Sequence, residues 1–285
     1  MKNAIEIKNL SKKYDDFLLD KVTLKVPMGT IVGLIGENGA GKSTLINTIV
    51  GILASDHDQL EVLGEKLDEH EKDIKEQIAV IFDSIHYNQE FTPKFIGYLL
   101  SQTYHNWKQD TYQYYLEYFG LPEKKKIKTF SRGMKMKLEF AIAFSHEAKL
   151  LILDEATSGL DPVVRDDILS IIREFTKQED HTVLLSSHIT SDLDKIADYI
   201  AYLHQGKLLF MKSYDELREK FGIIHAGQEL LDTLDPDDIV AYIKEPYSYS
   251  VLVENRQAIQ KTFPDLEIQR PKIEEIMIFY AKGVN

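Results

Sequence analysis

The segment "GLIGENGAGKST", residues 33–44, leaves this chain few folds to choose from. Gly36, Gly41, Lys42 and Ser43 fit the spacing G-x-x-x-x-G-K-[ST]. The β-branched run "TIVGLIG" leads into it, and a helix is predicted from Lys42 to about Gly51. A strand that runs through a tight glycine loop into a helix belongs to a parallel sheet covered by helices. Gly36, Gly39 and Gly41 let the backbone wrap closely, so that its N–H groups point at phosphate oxygens. The loop Gly36, Glu37, Asn38, Gly39, Ala40, Gly41 and the helix start Lys42, Ser43, Thr44 are therefore the predicted nucleotide-phosphate cradle. Lys42 neutralises the β- and γ-phosphates, and the Ser43 hydroxyl is suited to Mg²⁺. A chance glycine-rich turn would lack this combination of strand, loop and helix. The motif gives a ligand class but no reaction.

The rest of the pattern agrees with such a sheet. "AIEIKNL", "VTLKV", "QLEVLG" and "IAVIF" read as strands, the first of them as an N-terminal antiparallel part. From about Ser84 to Lys149 the texture becomes helical and rich in aromatics, an insertion into the sheet domain. Strands return in "KLLILDEA" and "HTVLLSSH", with a helix from roughly Pro162 to Lys177 between them. After Lys220 the chain carries "DPDD" and Pro236, Pro246, Pro264 and Pro271, and reads as a small α+β appendage over 221–285.

"LLILDEATSGLD", residues 150–161, is the second chemical element. An apolar strand delivers Asp154 and Glu155 to its carboxyl end, where α/β sheets bind ligands. Asp154 is placed to hold Mg²⁺ through water, and Glu155 to accept a proton from the attacking water or to orient it. Two exposed carboxylates at a strand end are common, so the pair gains its meaning from the phosphate loop upstream.

"FSRGM", residues 130–134, opens a helix in which Met134, Leu138, Ile142 and Ser145 form an ordinary core-facing stripe. Ser131 is a natural cap there, yet a hydroxyl, a cation and a glycine also make an anion site. The phosphate loop, "FSRGM", "LLILDE", "SGLD" and "SSHI" stand in the order used by ATP-binding cassette (ABC) ATPases. Over about residues 4–220 the chain resembles the nucleotide-binding subunit of an ABC transporter. The resemblance implies a P-loop NTPase cassette with an inserted helical subdomain at about 84–149.

It also implies a head-to-tail dimer in which the signature of one subunit closes over the ATP of the other. "FSRGM" resembles that signature, usually LSGGQ. Ser131 and Gly133 match, and Phe130, Arg132 and Met134 depart. Arg132 keeps positive charge near the phosphates. Asp161 matches the D-loop aspartate that bridges the subunits, and its place before Pro162 also makes it a helix cap. His188 matches the switch histidine that senses the γ-phosphate, and Tyr14 the aromatic that stacks on adenine, with Phe17 nearby. The family's Mg²⁺-contacting glutamine is replaced by Asp83 in "IAVIFDSIHYNQEF", with Gln89 as the alternative if the register differs.

The net charge of −12 opposes a broad nucleic-acid surface, which needs clustered Lys and Arg. There are no cysteines, so disulfides and thiolate metal sites are excluded. The N-terminus lacks an apolar signal region, and no apolar run reaches the ~18 residues of a membrane span. The aromatics of "YHNWKQDTYQYYLEYFG" fall near helical spacing and read as core packing of the insertion. "EKKKIK" reads as a solvated turn. The expected protein is an exporter-type ATPase on the cytoplasmic face of a membrane, peripheral to separate permease subunits. It pairs with a second ATPase subunit, identical or not. A soluble ABC ATPase acting on ribosomes or DNA is the nearest rival. A P-loop kinase is a more distant one, since it has no use for "FSRGM" and "SGLD".

Overall fold

The structure, a computed structural model, describes residues 2–82 and 86–284, apart from the side chains of 68–71. Among the described residues the strands form three sheets. The first sheet pairs β1 (Asn3–Lys13) with β2 (Leu18–Pro27) and continues into β4 (Gln59–Val62) and β5 (Glu65–Lys66), all antiparallel. Along β2, buried Val22, Leu24 and Val26 alternate with exposed Thr23 and Lys25, as one covered face requires.

The central sheet carries β3 (Ile31–Ile35), β6 (Ile78–Ile81), β7 (Leu150–Asp154), β8 (Thr182–Ser187), β9 (Tyr199–His204) and β10 (Lys207–Ser213) in the order β10-β9-β3-β8-β7-β6. All neighbours are parallel except β9 and β10. Every residue of β3, β7 and β8 is buried, the mark of strands covered on both faces. Successive side chains feed opposite layers. Val32, Leu34, Leu150 and Ile152 pack with Leu45 and Ile49 of α1 (Lys42–Ile49). Ile31, Ile35, Leu151 and Leu153 pack with Ile168 and Ile172 of α6 (Pro162–Phe175). The register sets Ile35 beside Ser187 and Asp154 beside Ser186. The phosphate loop, the acidic pair and the "SSH" segment thus leave the sheet at one edge.

Between β5 and β6 lies α2 (Leu67–Glu76), and the inserted block holds α3 (Pro93–Ser101), α4 (Gln109–Tyr118) and α5 (Arg132–Ser145). The block has its own core of Ile96, Tyr112, Leu116, Ile127, Leu138 and Ile142; of the predicted aromatics only Tyr112 is fully buried there, while Trp107, Tyr115 and Phe119 pack against it half-buried. Tyr112 donates to the Pro93 carbonyl at 2.9 Å. Tyr104 and Trp107 precede α4, because the chain turns where Lys108 N–H reaches the Ser145 carbonyl at 2.7 Å. Tyr104 stacks on His146 instead, with centroids 4.3 Å apart.

Glu139 of α5 lies within electrostatic reach of Tyr87, Tyr104 and Tyr112, and burial pushes its carboxyl up to about 8. The folded protein holds this proton after the unfolded chain has released it. Stability is therefore lost as pH rises from the ordinary carboxylate range to about 8. Glu139→Gln is expected to raise the melting temperature near pH 8 and to change it little near pH 5. Thermal scans across pH check this, and a pH-independent difference would refute it.

After α7 (Thr190–Ile196) and α8 (Tyr214–Lys220) come β11 (Gly222–Ala226), α9 (Gln228–Thr233), β12 (Ile239–Lys244), β13 (Tyr249–Val253), α10 (Arg256–Thr262) and α11 (Ile273–Lys282). The third sheet, β11-β13-β12, is antiparallel and gives the tail its α+β character. Its inner face and α11 are continuous with the core of the central sheet. Phe221, Ile223, Leu252, Ile276 and Phe279 join Tyr202 and Phe210 in one cluster.

Candidate functional site

The loop after β3 is shaped by close contacts. A Cβ at Gly36 would stand 2.3 Å from the Leu203 carbonyl oxygen of β9, so only glycine fits. Gly41 has φ +107, and a Cβ there would stand 2.7 Å from the Phe17 ring. No side chain caps α1, which leaves its first-turn N–H groups facing the loop. The buried Lys42 ammonium donates to the carbonyls of Gly36 at 2.8 Å and Glu37 at 3.2 Å. It also pairs with Glu155 Oε1 at 3.4 Å.

Glu155 leaves β7 in the left-handed region, with φ +54, a conformation few non-glycine residues adopt. Its N–H donates to Ser186, whose carbonyl lies at 3.2 Å and hydroxyl at 3.1 Å. Its second oxygen, Oε2, meets His188 Nδ1. Asp154, nearly buried, accepts from the Ser186 hydroxyl at 2.5 Å. Ser186 therefore orients both acids. The sequence reading missed it, although "SSH" stood on the page, because its role comes from the cross-strand register of β7 and β8.

Lys42, Glu155 and His188 open into one cleft of about 670 Å³, lined also by Gly39, Ser43 and Ser158 among others; Asp154 is not part of the lining. Tyr14 and Phe17 both line its mouth, with rings 6.5 Å apart. Ser131, Arg132, Gly133, Met134 and Asp161 are not part of that lining. Ser131 caps α5 by accepting from Met134 N–H at 3.2 Å, which leaves its hydroxyl proton free to donate. Asp161 caps α6 by accepting from Val163 and Val164 N–H at 3.2 and 3.1 Å. Both helix starts thus do structural duty while staying at the surface. Asp83 lies outside the described residues. Gln89 is exposed, accepts from Lys135 Nζ at 3.0 Å and does not line the cleft.

The ABC transporter family matches residues 19–158. The chain is 32% identical over 223 residues to the bacitracin transport ATP-binding protein BcrA of Bacillus licheniformis, covering 77% of this chain and 73% of that protein. It is 33% identical over 221 residues to the lantibiotic transport ATP-binding protein SrtF of Streptococcus pyogenes, covering 74% of this chain and 91% of that one. Among solved structures, an ATP-binding subunit of an ABC transporter superposes with a TM-score of 0.69 at 30% identity, covering 75% of this chain and 92% of its own. No helix among the described residues is long and apolar enough to cross a membrane, and transporter membership implies membrane-embedded partner subunits. The chain belongs to the ATP-binding subunits of ABC transporters and is an ATPase.

Proposed function

We propose that this ATPase works as a head-to-tail dimer on the cytoplasmic face of a membrane and drives export of a drug, peptide or lipid through separate permease subunits. One observation carries the dimer: Lys42, Glu155 and His188 share a cleft from which Ser131 and Gly133 are absent. A second chain would bring its Ser131 hydroxyl and Gly133 N–H to the γ-phosphate held by Lys42, with Arg132 and Met134 beside them and Asp161 at the seam. The export reading rests on the bacitracin and lantibiotic transport proteins to which the chain is similar. The acidic balance of −12 favours transport over action on ribosomes or DNA.

Within each cleft, Tyr14 or Phe17 stacks on adenine, and the loop from Gly36 to Thr44 wraps the phosphates. Ser43 and Asp154 offer hard oxygen donors that fit Mg²⁺. Among the described residues no cluster of three or more His, Cys, Asp or Glu side chains is able to hold a metal alone, so phosphate oxygens and water complete the set. Asp83, by its place in the sequence, is the remaining metal-site candidate. A Mg²⁺ held by Ser43 and Asp154 would supply charge neutralisation on the phosphates. Lys42 exchanges its contact with Glu155 for phosphate oxygen and so frees that carboxylate. Glu155 takes the proton from water as the water oxygen bonds to the γ-phosphorus. The bridging P–O bond breaks, and ADP keeps that oxygen. His188 holds Glu155 in position.

Mixing two inactive variants tests the dimer. Ser131→Arg and Lys42→Ala protomers are each expected to be inactive. Combined, they build one site from intact Lys42 and intact Ser131, and ATPase activity partly returns. The same pair carrying Glu155→Gln is scored by ATP-driven dimerisation in light scattering. If Ser131→Arg blocks ATP binding to an isolated monomer, the signature acts within its own chain and the proposal fails.

A further inference from the structure

The guanidinium of Arg132, the departure from the usual glycine in the signature, lies on the D-loop of its own chain. A Cβ at Gly159 would stand 2.9 Å from Nη1, 3.2 Å from Cζ and 3.6 Å from Nε of Arg132. All three distances belong to one flat group resting on a residue whose φ of +66 already favours glycine. The next residue of α5 packs against α6, five residues beyond Gly159. A Cβ at Gly133 would stand 3.0 Å from Val164 Cγ1, in the first turn of α6. The start of α5 and the turn 158–161 that starts α6 are therefore packed on each other through Arg132 over Gly159 and Gly133 over Val164. The turn also reaches the catalytic cleft, since Ser158 lines it.

We infer that Arg132 is a positioning residue: it ties the signature segment to the D-loop of the same chain, so that both meet the partner's nucleotide as one piece. The flat, always-charged guanidinium suits this role, because it covers a glycine face while its five donors stay available at the subunit seam. A glycine at 132 would leave Gly159 uncovered and the turn free to move independently of α5. The effect on catalysis rests on the dimer proposed above, but the contact itself lies within one chain and can be read without a partner.

The test therefore has two arms. In the nucleotide-free protein, hydrogen exchange over residues 157–161 is expected to rise in Arg132→Ala and also in Arg132→Lys, whose ammonium has no flat face to lay on Gly159. In steady-state ATP hydrolysis, Arg132→Ala is expected to lower kcat roughly tenfold with KM for ATP little changed, well inside the hundredfold that a misplacement of about 1 Å can cost. Gly159→Ala both pushes the guanidinium off the turn and strains a left-handed residue, so its loss should be at least as large, and the double variant should be no worse than Gly159→Ala alone. Multiplying losses, or unchanged exchange with a raised KM, would make Arg132 a phosphate contact and overturn the inference. A changed exchange pattern with no catalytic effect would keep the strut and refute its role in presenting the D-loop. Failure of the mixing experiment above would remove the dimer and leave the exchange result standing.

Discussion

Lys42→Ala is expected to leave no measurable ATPase activity and to weaken ATP binding. The ammonium is buried and held by two loop carbonyls, so its position is fixed before any phosphate arrives. Each charge-assisted contact to phosphate is worth about 1.5–3 kcal/mol, or roughly ten- to hundredfold in affinity. The loss in rate is larger, because the charge on the transferring phosphoryl group is spread over oxygens that Lys42 faces. Removal of the side chain also leaves Glu155 without its cation at 3.4 Å. Nucleotide titration and phosphate-release assays on the purified variant check this, with a melting curve to show that the loop still folds. Turnover near wild type in a preparation free of other ATPases would remove the phosphate-loop assignment.

Glu155→Gln has the second largest expected effect, with turnover falling by about 10²–10⁴ while ATP still binds. The amide keeps the shape and a contact to His188 but takes no proton from water. The structure adds a second expectation. In the nucleotide-free cleft Glu155 shares Lys42 with the loop, and a neutral side chain releases that cation for phosphate. The variant should therefore bind ATP at least as tightly as wild type, even as a monomer. Stopped-flow or filter-binding measurements separate the two parameters. Unchanged turnover would show that Glu155 is not the proton acceptor.

What the chain reveals in its letters is local, and what it conceals is made by contact between distant segments. The β3–loop–α1 unit was legible because strand, glycines, Lys42 and helix are contiguous, and its helix ends at Ile49, near the expected Gly51. The block 132–145 was legible because Met134, Leu138, Ile142 and Ser145 repeat at helical spacing; the last three are buried, and Met134 is half-buried against the same core. The β9–β10 hairpin went unread. Its turn uses Gln205 and Gly206, both with positive φ, and "QG" lacks the Asn-Gly or Asp-Gly chemistry that marks such turns. The helix α2 was hidden by the charged run "LDEHEKDIKE", in which few apolar residues reveal a face. At the site, Asp154 and Glu155 could be placed from a strand end, and His188 only through the family resemblance. Ser186 could not, since its hydroxyl matters only because β8 lies beside β7 in that register. Nor could a single sequence choose between Tyr14 and Phe17. Both line the cleft, and Phe17 alone presses on Gly41.

The packing of α11 has a consequence for how such a chain can be inherited or rebuilt. The Tyr280 ring lies 4.9 Å from that of Phe210, and the Tyr202 hydroxyl donates to the Met277 carbonyl at 3.3 Å. Ile276 and Phe279 belong to the same buried cluster as Tyr202 and Phe210, so a cut near residue 220 strips part of its cover and exposes apolar surface. A chimera joining this cassette to a foreign tail would have to match Ile276, Phe279 and Tyr280 against Tyr202 and Phe210, ring for ring. The last sixty-odd residues are thus not freely interchangeable cargo but the second half of a lock whose first half is cut into the ATPase itself.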